Sequence, residues 1–325
     1  MIGSKKGSEL KLTGNNIGII QNTKHGIDLQ AAKSHLYSLA EKLQYLQMIL
    51  PFMNAILWPP LLFFFPDFKV WATFCGFIIV FLDTLVFETL QKKWKLLAAK
   101  VQENFDCEVL HIAWNSFKVG VKPTEETVTE HADKYRLKGG DESVLKDWYT
   151  FDFDNLPISL ARIICQRSNF WWDSKLRRSY STLLLTTVIV LSIFSFAIGI
   201  ASKITVDTFV LAIIAPLAPF YLWSIREMRR QQNTAEEGER LLQESENQWK
   251  LEIDGKQYKQ DPESRARELQ DEIFLRRKNA PVNPSWLYRR KRDQYQHLMI
   301  KGANELISEF RQLHSLSRKS KKQNI

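Results

Sequence analysis

The residues best suited to chemistry in this chain lie in one stretch, Arg162 to Arg178. Arg162, Gln166, Asn169, Asp173 and Arg177 recur at helical spacing, with Arg167, Trp171 and Trp172 among them. Guanidinium groups bind phosphates bidentately, and indole rings stack on bases. Arg162, Gln166, Arg167, Asn169, Trp171 and Trp172 therefore form a candidate site for an anion, and a phosphorylated nucleotide would suit it. The same stretch has a plainer reading. Arg177 and Arg178 can anchor a span at its positive side, the tryptophans can occupy an interfacial belt, and Asp173 to Arg177 is an i,i+4 ion pair.

Asp83 is a second candidate. It interrupts an apolar run from Lys69 to Gln91, where a carboxylate costs about 2.5–3.5 kcal/mol and so faces water or a protein interior. One reading makes it a pore-facing or gating residue. The other places it, with Glu88, at the polar end of the run, since Lys92 and Lys93 follow. Asn54 joins it as a gating candidate, in a run made irregular by Pro51, Pro59 and Pro60.

Chemistry of other kinds finds no footing. The 6 histidines are dispersed without HExxH spacing, and there is no GxSxG, Walker A or GxGxxG pattern among only 13 glycines. Cys75, Cys107 and Cys165 have no paired spacing, which fits a reducing compartment and offers no metal site. No cofactor, metal or enzymatic activity is expected. The basic run Arg289 to Arg292 reads as a solvated or lipid-facing helix face.

What must position these residues is a set of four apolar stretches. There are 24 uncharged residues between Lys42 and Asp67, 24 between Arg178 and Lys203, and 18 from Thr208 to Ile225; Lys69 to Gln91 is the fourth. A helix of about 20 apolar residues crosses a bilayer core. The connections within each pair are only a few residues long, so the spans form two hairpins and leave all the remaining chain on one side. Lys42, Lys92, Lys93, Lys95, Lys175, Arg177, Arg178, Arg226, Arg229 and Arg230 flank that side, against Lys69 and Lys203 on the other. Positive residues stay inside. Both termini and the middle region are therefore expected in the cytoplasm, and the low mean hydropathy of −0.26 reflects the polar remainder. The first 40 residues lack the apolar core of a signal peptide.

The expected fold is an α-helical integral membrane protein with helical cytoplasmic extensions and a small α-rich region with minor β. Its parts are a cytoplasmic arm (1–45), hairpin one (46–90), a cytoplasmic middle region (91–178), hairpin two (179–225) and a helical tail (226–325). Asp28 is the expected N-cap of a helix whose leucine stripe enters the first span, with Pro51 and Pro59-Pro60 kinking or ending it. Residues 107–112 and 117–121 read as short strands, and 125–137 as a helix before a Gly139-Gly140 turn. Asn155 and Pro157 open a long helix reaching Gly199, about 65 Å if unbroken. A capping box at Thr234 to Glu237 opens a helix to Trp249. Asp254-Gly255 turns a hairpin, and further helices follow Asp261-Pro262 and Asn283-Pro284.

The segment from Cys165 to Tyr180, with Gln-Arg-Ser-Asn-Phe-Trp-Trp-Asp after the cysteine, resembles the hallmark of the SMODS-associated four-transmembrane effectors. So do Phe105 to Leu110, Trp114-Asn115, Lys118 to Gly120, Lys134 to Arg136 and Lys146 to Tyr149. Leu156-Pro157, Ala161-Arg162, Gln21-Asn22 and Leu36-Tyr37 are similar too. The resemblance covers about 20–315. It implies a bacterial anti-phage effector of the cyclic-oligonucleotide (CBASS) type, in the inner membrane, that senses a cyclic oligonucleotide made by an operon-linked cGAS-like nucleotidyltransferase. Such effectors form pores, compromise the membrane and cause abortive infection. A homo-oligomer on activation is expected, because four spans with few polar faces do not line a pore alone. The rival reading is a non-conducting scaffold or adaptor that binds a protein partner through its cytoplasmic helices.

Overall fold

A computed structural model describes residues 13–153, 156–201, 203, 205–255 and 261–323. Its helices are α1 (Asn15–Gln21), α2 (Lys24–Phe64), α3 (Lys69–Leu82), α4 (Glu88–Val109), α5 (Ser116–Val119), α6 (Glu125–Leu137), α7 (Ile158–Ala201), α8 (Val206–Phe209), α9 (Ala215–Ile253), α10 (Pro262–Asn279) and α11 (Ser285–Gln323). Wider π-turns at Asp83–Phe87 and Val210–Ile214 join α3 to α4 and α8 to α9. There is no strand among the described residues. The two expected strands are helix running into turn or loop instead. Residues 107–109 close the last turn of α4, where Cys107 and Val109 are buried, and 116–119 make the single turn of α5, capped by the Asn115 side chain. A short apolar alternation fits either period, and packing decides.

Several boundaries shift for local reasons. Thr23, not Asp28, caps α2, its hydroxyl accepting from the Gly26 amide at 3.1 Å. Asp28 pairs instead with Arg136 on α6. Helix α2 runs through Pro51 and the Pro59-Pro60 pair to Phe64, as helices in a span commonly tolerate proline. Thr234 does not open a new helix: its hydroxyl donates back to the Arg230 carbonyl at 2.8 Å inside a continuous α9. Asp261 caps α10 through the Glu263 and Ser264 amides, as its sequence indicates. The expected cap Asn155 and the far side of the Asp254-Gly255 turn lie outside the described residues; Leu251 to Ile253 end α9 as helix.

Two helical segments among the described residues are long and apolar enough to cross a bilayer, Val70–Val109 and Ile158–Ala201. The apolar window of the first is 0% buried and that of the second 11%. Phe74, Phe77 and Phe81, with Ile193, Phe194 and Ile200, are left open, which a protein does only where lipid or another chain covers the face. The first and fourth apolar stretches lie in α2 and across α8 to α9. Helices α7 and α9 pack antiparallel along their length, since Arg167, Arg177 and Arg178 meet Glu246, Gln231 and Glu239 in turn.

The main core lies at the polar end. Leu29, Leu36, Val101, Phe105, Leu110, Val128, Ile164 and Trp249 are buried there, contributed by α2, α4, α6, α7 and α9. Burying each such side chain stabilises by about 1.5–3 kcal/mol. That core anchors the halves of α2, α4, α7 and α9 that extend beyond the apolar stretches.

Candidate functional site

The polar half of α7 sends its side chains into four different surroundings. Arg162 is buried and donates from Nε to the Leu110 carbonyl at 2.7 Å and from Nη2 to the His111 carbonyl. It caps the C-terminal end of α4, where orphan carbonyls favour a cation; burial lowers its affinity for the proton. Gln166 is fully buried and donates to the Ala266 carbonyl of α10 at 2.7 Å. Arg167 makes a double contact with Glu246 of α9 at 2.9 and 2.6 Å. Trp171 and Trp172 lie edge-on to Tyr295 of α11, and Trp172 also meets Tyr288. The six candidates surround the helix and do not converge on one point. The reason is periodic: consecutive residues are about 100° apart on a helix, and a stretch of eleven visits every side.

Asn169 and Trp172 do share a surface. They line a recess with Lys146, Trp148, Tyr288 and Arg292, between α7, α11 and the loop before α7. Four aromatic residues, Tyr149 among them, two cations and Asp147 meet there. The indole Nε1 of Trp172 is buried without a hydrogen-bond partner, an uncommon state that normally signals a missing acceptor. The recess is narrow, about 50 Å³, which is room for a few waters. A larger ligand must widen it by shifting α11 or the 144–149 loop.

The loop is held firmly from below. The Gln21 side chain exchanges two hydrogen bonds with the Tyr149 backbone, at 2.8 and 3.1 Å. Asn22 donates to the Asp147 carboxylate at 2.7 Å and accepts from its backbone amide at 2.9 Å, and Asp147 sits at a φ of +50°, which costs energy for a non-glycine residue. Lys33 Nζ sits 4.0 Å from the ring centre of Trp148; burial, then Arg277, bring its pKa down to about 7. The Tyr149 hydroxyl donates to Asp106 at 3.1 Å and accepts from Asn169 at 3.0 Å. Asp106 has no exposure and pairs with Arg277, while Gln270 bridges Asp106 and Glu103, and Arg267 pairs with Glu103. Burial, first of all, raises the pKa of Glu103.

Helical periodicity overlooked Lys146, Trp148, Tyr149, Tyr288, Arg292 and the carboxylates beneath them. The motif signal contained several of them. Gln21-Asn22, Asp106, Lys146 to Tyr149, Asn169 and Trp172 all belong to the segments that carry the family resemblance, and they meet here in space.

The two gating candidates stay apart from this region. Asp83 begins the π-turn after α3, and its Oδ1 is buried without a partner. Asn54 accepts from the Trp58 indole at 2.8 Å, one turn along α2. Among the described residues no group of three His, Cys, Asp or Glu side chains could hold a metal.

Comparisons with known proteins agree with the motifs. No solved structure matches the chain. A protein of Bacillus cereus (strain VD146), named a "probable CBASS effector molecule", is 27% identical over 238 residues, 71% of this chain and 76% of its own length. The family model for the SMODS-associating 4TM effector domain matches residues 15–306. The protein thus belongs to the SMODS-associating four-transmembrane effector family.

Proposed function

We propose that this protein is a non-enzymatic anti-phage effector that senses a cyclic oligonucleotide in the cytoplasm and permeabilises the inner membrane, causing abortive infection. Four spans, in 46–90 and 179–225, cross the bilayer in two hairpins. The arm, the middle region 91–178 and the tail 226–325 lie in the cytoplasm with both termini. One observation carries the reading. Helices α7 and α9 pass unbroken from apolar stretches, that of α7 largely uncovered, into the packed polar body that holds the recess. A helix shared by two regions transmits a displacement from one to the other.

The recess is the ligand site in this reading. Lys146 and Arg292 meet phosphate, Trp148, Trp172 and Tyr288 meet base, and Trp172 Nε1 supplies a donor to an acceptor on the ligand. Asn169 ties it to Tyr149 and the buried carboxylates. Arg162, Gln166, Arg167 and Trp171 hold the α7 surface that presents it. Ligand shifts an existing equilibrium from a closed to an assembled, conducting form, by no more than its differential affinity for the two. Asp83 faces water in the conducting form, with Asn54 on the neighbouring span. An operon-linked cGAS-like nucleotidyltransferase supplies the ligand.

Purified protein in dye-loaded liposomes, challenged with a panel of cyclic oligonucleotides, tests this directly. At least one is expected to bind and release dye. A ligand-independent, leak-free protein that captures a protein partner through its polar helices would establish the scaffold instead.

A further inference from the structure

The short connection between α10 and α11, Asn279 to Asn283, takes an unusual route. It crosses the level at which all four apolar stretches meet the polar body, and its carbonyls from Asn279 to Val282 are each held by a side chain from one of those helices. Lys95 of α4, just after the second stretch, donates from Nζ to the Ala280 carbonyl at 2.8 Å and to that of Asn279 at 3.4 Å. Arg177 of α7, just before the third, donates to the Pro281 carbonyl at 2.9 Å. Gln44 of α2 and Gln231 of α9 both donate to the Val282 carbonyl, at 3.2 and 3.4 Å. Ala280 and Val282 are only 7% and 8% exposed.

A C-terminal cap for α10 accounts for Lys95 alone, since a cation suits a helix C-terminus. It does not account for the next two carbonyls being gripped from three further helices. A surface loop leaves its backbone to water; this one is buried, and its polar groups must be met internally. Pro281 and Pro284 fix φ on either side of Val282, so the segment is a stiff strut. It leads straight into α11, whose first turns carry Tyr288 and Arg292 of the recess. The amide of Ser285, at the start of α11, is held by Glu41 of α2 at 2.6 Å.

We propose that Asn279 to Asn283 is a plug that closes the polar end of the span bundle, and that displacement of α11 withdraws it. The inference rests on the permeabilising reading and adds the closing element to it. Widening of the narrow recess moves α11, α11 moves the strut, and the four helices lose their shared contact. Before that, Lys95, Arg177, Gln44 and Gln231 hold the bundle shut.

The test uses full-length protein in dye-loaded liposomes without any ligand. Lys95→Met keeps side-chain length and removes the grip on two carbonyls; it is expected to leak at least tenfold faster than the parent. In that background, Gln44→Cys and Val282→Cys are joined by a reducible thiol cross-linker, with Cys75→Ser to avoid side reactions. Cross-linking should return leakage to the parental level, and reduction should restore it. A Lys95→Met protein that inserts, melts like the parent and stays tight overturns the plug. So does leakage that persists after cross-linking, which marks general loosening. Failure of the parent to leak with any cyclic oligonucleotide is a separate result and speaks against the permeabilising reading itself.

Discussion

The two ends of α7 obey different physics. In its polar half, most of the charged and amide side chains have assigned partners: Arg162 on two carbonyls, Gln166 on α10, Arg167 on Glu246, Arg177 on Asp173 and Gln231. Beyond Leu184, its side chains mostly point outward, and Ser192 bonds only to the turn before it. The first half is specified by directional contacts, the second by composition. A region built on hydrogen bonds has one arrangement, whereas an apolar rod can slide and re-pair at small cost. That asymmetry suits the proposed function, in which the polar part senses and the membrane part rearranges.

Substitutions should expose the asymmetry, and the largest effect falls in the polar body. Arg277→Met removes the cationic partner of the fully buried Asp106, a kind of change that costs about 3–5 kcal/mol. Thermal melting in detergent should show loss of the cooperative transition or a large drop in midpoint. A midpoint within a few degrees of the parent would mean that the carboxylate network does not organise the body.

The recess comes next. Lys146→Ala or Arg292→Ala removes a cation from the proposed ligand site. A charge-assisted phosphate contact is worth about 1.5–3 kcal/mol, so affinity for the active cyclic oligonucleotide should fall tenfold or more with melting little changed. Arg167→Ala, outside the recess, should weaken binding far less. Equal losses in all three would point to an indirect effect on α7.

A pH effect separates α6 from the rest. His35 on α2 and His131 on α6 are buried with Nδ1 atoms 2.9 Å apart, and Lys138 reaches His35 Nε2 at 2.8 Å. Burial, then Lys138, His131, Lys134 and Lys42, bring His35 down from 6.5 to about 4; burial also lowers His131, against the opposing pull of Glu130. The folded state therefore binds fewer protons than the unfolded chain. The stabilisation is complete above about pH 6.5 and is lost as pH falls toward about 4. Melting of the parent should drop across that window more steeply than melting of His35→Asn. Parallel curves would remove the pair from the account.

The smallest effect is expected on the apolar faces. Phe77 is 70% exposed, so Phe77→Ala should change stability in detergent by no more than about 0.5 kcal/mol. A loss of several kcal/mol there would mean that the spans are packed against something as specific as the body.

The same contrast explains what the sequence disclosed. The apolar stretches, the long α7, the Asp261 cap and the 125–137 helix were legible because they depend on local pattern: hydropathy, absence of breakers, capping residues. Residues 107–112 were misread because six residues do not separate a strand period from a buried helix face, and tertiary packing of Cys107 and Val109 settled it. Thr234 looked like a cap because its own sequence neighbourhood is all that a capping rule sees. The candidate site was half legible. One helical stretch supplied Asn169 and Trp172, but Lys146, Trp148 and Arg292 lie on other elements. Periodicity within α7 carries no information about what packs against it. The buried carboxylates were harder still, since Asp106 and Glu103 look like ordinary polar residues until Arg277 and Arg267, more than 160 positions away, are brought to them.

In the proposed mechanism, occupancy of the polar body opens the spans. Its most direct measurement is a titration of one liposome preparation with the active cyclic oligonucleotide, following binding and dye release together. The two curves should rise at the same ligand concentrations, and Asp83→Leu protein should keep the binding curve while releasing less dye. Saturable binding with no dye release at any occupancy would contradict it.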